Sequence, residues 1–281
     1  MKDVTNLCSV NLPRDHYIDP ISDKEDAMPG ERSDDRVILK ITGQDRLKFL
    51  QDLITNDIRD LDGRIVYAAL LTPQGKYLFD FFLFAQDDAL FLDVHKDTAG
   101  ALVQRLTMYK LRADVTIETS ELKPSRGLGD LPEGAMADPR HPALGWRYYG
   151  AEEGSAPEID WQAIRVAHLI PETGTELIAN DSYILEQGFE RINGVDFKKG
   201  CYVGQEVTAR MKHKTTLRKG LVRVELDGKA APGAEISRNG KVIGKLHTVA
   251  GTSALAYLRL DQAGEGMMAG DAGLKLAAAP G

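Results

Sequence analysis

Apolar and polar positions first settle into order at "RVILKITG". There Val37, Leu39 and Ile41 alternate with Ile38 and Lys40, the pattern of a largely buried strand. In "GQDRLKFLQDLITND" the spacing changes. Leu47, Leu50 and Leu53–Ile54 fall on one helical face, Gln44 and Asp45 suit a positive helix N-terminus, and Asn56 is placed to stop the helix in a left-handed conformation. "RIVYAALL" and "KYLFDFFLF" are strand-like runs around "TPQG", whose Pro73 and Gly75 predict a hairpin turn. "LFLDV" reads as a third strand. "DTAGALVQRLTMYK" reads as a helix capped by Asp97, with Ala101, Leu102, Leu106 and Met108–Tyr109 as its apolar stripe. "ADVTIET" closes the series. The order β-α-β-β-β-α-β predicts an antiparallel sheet with helices on one face, an α+β design.

Residues 123–158 are rich in Pro and Gly and predict loops with one short strand near Trp146–Tyr149. "DWQAIRVAHLI" predicts a helix capped by Asp160. Beyond Gly220 the chain breaks into short strands and turns, with Asn239-Gly240 as a hairpin signal. This end, 216–281, predicts a small β-barrel or sandwich. Residues 1–35 have no sustained periodicity and predict an acidic extension. The expected division is therefore an extension over 1–35, an α+β region over 36–215 and a C-terminal barrel over 216–281.

Composition narrows the class. The chain has 281 residues, 43% hydrophobic and 27% charged, as expected of a soluble protein with more than one core. No apolar run is long enough to span a bilayer, so no membrane association is expected. The first residues lack a charged-then-apolar signal pattern, and their acidity argues against a transit peptide; the expectation is a cytoplasmic protein. The two cysteines, Cys8 and Cys201, are too few for a four-thiolate metal or cluster site, and no metal site is expected.

The net charge of −7 is unevenly spread. Residues 1–35 hold nine acidic and four basic residues, whereas Lys198 to Lys219 holds seven Lys/Arg against the single Glu206. Such a local basic run suits a small anionic ligand or a partner better than a long nucleic-acid track, and no DNA partner is expected.

The run begins at "KKGCYVGQEVTARMKHK". A lone cysteine is usually a small buried apolar residue. Here Gly200 and Gly204 flank it, which predicts an irregular backbone. Lys198 and Lys199 precede it, and a nearby ammonium favours the thiolate. Gln205 and Glu206 read either as polar surface at a helix start or as groups that orient a ligand. His213 has no second ligand at metal spacing.

"KGCYVGQEVTAR" closely resembles the signature of the YgfZ-type folate-binding proteins, relatives of the glycine-cleavage T-protein that include an iron–sulfur maturation factor. The shared residues are Lys199, Gly200, Cys201, Tyr202, Gly204, Gln205, Glu206 and Arg210. "ILEQGFERINGVDFK" and the blocks at 36–58 and 67–84 are similar to the same family, so the likeness covers roughly 36–281. It implies a three-lobed T-protein-like fold, two α+β lobes and a barrel, around a folate cleft. It further implies binding of tetrahydrofolate or another reduced folate, and a role with iron–sulfur client or assembly proteins. In that picture Cys201 is the reactive thiol, Lys199 and Tyr202 shape it, Glu206 and Arg210 brace it, and Asn56, Asp57 and Glu186 are candidates to face the folate. Two positions depart from the pattern. Leu169 stands where the family often has glycine, so the local turn is expected to differ. Asp80 alone stands where the transferases carry an acidic pair, and it reads either as an outward strand residue or as a catalytic one. Three functions follow: a folate-binding accessory factor in iron–sulfur maturation, a folate-dependent aminomethyl- or methyltransferase using Asp80, and an RNA- or partner-binding module using the basic 198–219 face.

Overall fold

A computed structural model describes residues 30–214 and 216–278. Cys8 and most of the 1–35 extension lie outside them. The first strand, β1 (Glu31–Arg32), already belongs to the fold: it pairs antiparallel with β7 (Lys123–Gly127). The expected boundary at residue 35 is therefore too late. Glu31 is buried and accepts from Trp161 Nε1 and from the backbone N–H groups of Glu158 and Ile159 at 2.7–2.8 Å. A two-residue strand has no periodicity to read, and its place depends on partners far along the chain.

The first lobe runs β2 (Arg36–Thr42), α1 (Arg46–Gln51), β3 (Val66–Leu71), β4 (Tyr77–Gln86), β5 (Ala89–His95), α2 (Lys96–Lys110) and β6 (Thr116–Thr119). Its five strands pair antiparallel in the order β3-β4-β5-β2-β6. Both faces of this sheet are covered. Val66, Ala68 and Leu70 pack with α1 and α2, while Tyr67, Ala69 and Leu71 pack with the second lobe, as alternation along a strand requires. That double burial is why β3 reads as an unbroken apolar run and β4 as one broken only by Asp80.

Both helices differ from their expected ends. α1 stops at Gln51; Leu47 is exposed, and Asn56 is not in a left-handed conformation. α2 is capped by His95, whose Nδ1 accepts from the Asp97 N–H at 3.3 Å, and Met108 is exposed.

The second lobe carries the four-stranded sheet β1-β7-β9-β8, with β8 (Met136–Ala137) and β9 (Trp146–Gly150), followed by α3 (Trp161–Ala167). Asp160 caps α3 through the Ala163 N–H, as expected. The chain then runs through turns to α4 (Gln205–Lys214). The third lobe is a closed barrel of β10 (Lys219–Asp227), β11 (Glu235–Arg238), β12 (Lys241–Ala250), β13 (Ser253–Arg259), β14 (Met267–Ala269) and β15 (Ala272–Leu276). Asn239 and Gly240 both have positive φ at the β11–β12 turn, the geometry of a type I′ hairpin.

Candidate functional site

The signature loop is built outward from Lys199. Its side chain is buried, and its ammonium donates to the carbonyls of Gln51, Ile54 and Asn56 at 2.6–3.0 Å. These carbonyls lie at and just beyond the end of α1, where a cation complements the helix dipole. Burial pulls Lys199 down to about 8, against the opposing pull of Asp57 and Asp196. All its donors are spent on backbone, so it pins the loop and has none left to donate to the thiol. That corrects the expected role of Lys199.

Gly200 has open space around it, and Cys201 is exposed and unpaired. Tyr202 turns inward and is buried in the core between the first two lobes; burial raises its hydroxyl pKa. Gly204 has φ +84, and a Cβ there would lie 2.6 Å from the Thr72 carbonyl. The glycine thus lets the loop close onto the β3–β4 turn, where Gly75 in turn abuts Val207. Gln205 opens α4, with Glu206 in its first turn. Glu206 and Arg210 are exposed, and neither makes an ion pair among the described residues, so the expected bracing of the thiol is not formed. The basic run is likewise no single face, since Lys199 is buried and Lys212 pairs with Glu190.

The residues expected to face one ligand fall into two cavities. Asn56 and Asp57 line one of about 550 Å³, together with Tyr67, Asn193, Asp196 and Lys198. Asn56 is fully used there: Nδ2 donates to the Tyr67 and Asn193 carbonyls and Oδ1 accepts from the Asp57 N–H. Asp57 is paired with Arg59, whose hydrogen bond holds its carboxyl down at about 2. Glu186 lines the other cavity, about 290 Å³, between the second lobe and the barrel, with Gln187, Arg218, Lys219, His247 and Tyr257. Tyr257 donates to Glu186 Oε2; burial first, and then this carboxylate, push the tyrosine pKa up. Cys201 lines neither cavity.

Asp80 is not the outward residue of a half-exposed strand. It is buried, facing the second lobe, and accepts from Tyr67 (2.9 Å), Tyr77 (2.6 Å) and Thr173 hydroxyls. Leu169 has φ +58. The turn after α3 therefore keeps a glycine-like conformation, contrary to expectation. The Leu169 carbonyl accepts from Arg191, and its side chain packs on Val166, Leu221 and Leu255.

Sequence reading missed a buried charge network under the first sheet. Asp93 accepts from Arg36 (2.6 Å), Arg147 (3.0 Å) and Tyr149 (2.9 Å), and Asp138 binds Arg140 and Arg147 at 2.9 Å. Burial opposes ionisation of both carboxyls, but the guanidiniums outweigh it and hold both below the usual range. Among the described residues no cluster of three His, Cys, Asp or Glu could hold a metal, and no helix is long and apolar enough to cross a membrane.

The chain superposes on the glycine cleavage system aminomethyltransferase T of Bartonella henselae with a TM-score of 0.69 at 14% identity, covering 88% of this chain and 84% of that one. The fold class is thus the T-protein-like one. Residues 218–280 match the C-terminal beta-barrel domain of CAF17. The mitochondrial iron-sulfur cluster assembly factor IBA57 of Mus musculus is 32% identical over 278 residues, 81% of this chain and 76% of that protein. Its Homo sapiens counterpart is 31% identical over 271 residues, with the same coverage. The chain belongs to the IBA57 family of iron-sulfur cluster assembly factors. The resemblance to YgfZ-type proteins therefore holds at the level of the superfamily. The expectation of a cytoplasmic protein is overturned, because these relatives are mitochondrial proteins. The acidity of residues 1–35, on which it rested, is outweighed by likeness over four-fifths of the chain.

Proposed function

We propose that this chain is an accessory factor in iron–sulfur protein maturation that offers Cys201 as a transient thiol ligand and binds a reduced folate between the second lobe and the barrel. The relatives named as iron-sulfur cluster assembly factors support the first part. The observation that carries the reading is the thiol itself: Cys201 is exposed and unpaired on a loop that Lys199 pins to α1. One thiolate cannot hold a cluster alone. Its cargo, a cluster or sulfur species, needs further ligands from a client or assembly partner.

Folate fits the barrel-side cavity chemically. Glu186 offers a carboxylate, and Gln187 beside it has a buried Oε1 without a partner. A pteridine carries several N–H groups and would supply donors to both. The cavity on the other side, at Asn56 and Asp57, has its polar groups largely satisfied and is the weaker folate candidate. A transferase reading needs Asp80 as a base, and its carboxylate already accepts three hydroxyl donors.

Complementation tests the reading. In cells lacking the protein, wild type and Asp80→Asn should restore the activity of dependent iron–sulfur enzymes, and Cys201→Ser should restore little. The opposite order would discard the accessory role and favour the transferase.

A further inference from the structure

Gln187 is only 3% exposed, and its buried side-chain Oε1 has no hydrogen-bond partner among the described residues. A buried polar group without a partner costs stability whichever way the amide is turned. Its surroundings are not otherwise unsatisfied. Its own backbone N–H donates to the Tyr183 carbonyl, the Glu186 carbonyl accepts from the Leu221 N–H, and Glu186 Oε2 accepts from Tyr257. Lys219 lies 5.9 Å above the Tyr257 ring. The wall of the cavity is therefore held from both the second lobe and the barrel, with one amide oxygen left over.

We propose that Gln187 is a specificity-determining residue of the barrel-side cavity: its unmet amide oxygen is completed by a second polar edge of the pteridine, beside the edge that Glu186 reads. The proposal rests on the folate reading above. Tyr257 fixes one oxygen of Glu186, so the carboxylate keeps its other oxygen for the ligand. A pteridine carries ring N–H, amino and carbonyl groups around one rim, so it can meet the amide in either orientation. An aromatic ligand without such a rim would leave Gln187 as it is now.

The two roles of a buried glutamine separate cleanly in a Gln187→Met variant, which keeps length and apolar volume. An amide that serves the ligand alone is a burden on the empty protein. The melting temperature of ligand-free Gln187→Met should then equal or exceed that of wild type, while its affinity for tetrahydrofolate, measured by calorimetry, should fall about tenfold. The affinity for 4-aminobenzoylglutamate, which lacks the pteridine, should be equal in the two proteins. Gln187→Asn draws the amide back by one methylene and should also weaken tetrahydrofolate. A lowered melting temperature with affinity kept within about twofold would overturn the proposal and make Gln187 structural. If wild type fails to bind tetrahydrofolate, the folate reading falls and this proposal with it; wild-type binding that neither variant alters removes this proposal alone.

Discussion

Lys199 shows how one side chain can carry a motif without doing its chemistry. Three carbonyls at the end of α1 converge on its ammonium. Replacing it by Met would bury those carbonyls without a donor, at a cost of about 3 kcal/mol. Lys199→Met should therefore lower the urea midpoint and raise hydrogen exchange in α1 and the 198–204 loop. Lys199→Arg, which keeps the charge, should recover part of the loss. Unchanged stability in Lys199→Met would show that water satisfies the carbonyls and that the loop is not pinned. The lysine beside Cys201 was legible as important from its place in the motif. Its partners were not, because they lie some 145 residues earlier and are backbone atoms, which no sequence pattern marks.

At the scale of elements, β2 to β5 of the first sheet were readable because each is a largely apolar run. β1 and β7 were not: "ER" and "KPSRG" have neither apolar periodicity nor β-branched residues, and they form a sheet only by pairing with each other and with β9. Besides the shared apolar core, the Asp93–Arg147–Asp138 network ties that sheet to the first lobe, visible only once β5 and β9 are brought together. It sets a pH dependence. The folded values of Asp93 and Asp138 lie below the unfolded value of about 3.9. Their stabilisation is thus complete above that value and is lost as pH falls through the folded values. Thermal unfolding followed from pH 6 downward should show a steep loss below about pH 4. Asp138→Asn should be less stable at neutral pH but flatter on the acid side; an acid slope equal to wild type would show that other carboxyls set it.

At the scale of the whole molecule, the candidate site depends on how the barrel docks. Glu176, on the second lobe, is buried and accepts from the Thr248 N–H at 3.2 Å, the Thr248 hydroxyl and the Glu172 N–H at 2.9 Å, with Arg165 at 3.4 Å. Gln162 and Arg223 add bonds of 2.8 and 2.7 Å across the same seam. Leu221 ties β10 directly to the Glu186 carbonyl, so the seam and the cavity share a residue. Removing the Glu176 carboxylate strands a buried amide and weakens a buried ion pair, although Arg165 keeps Glu172 at 2.8 Å. The loss should be about 3 kcal/mol of docking energy. In calorimetry, Glu176→Ala should melt at a lower temperature or split off a separate barrel transition. It should also bind tetrahydrofolate more weakly than wild type, because Glu176 itself lines the cavity and Lys219, His247 and Tyr257 reach it only while the barrel is seated. A variant that melts with a split transition yet binds with wild-type affinity would show that the proposed folate site does not need the barrel.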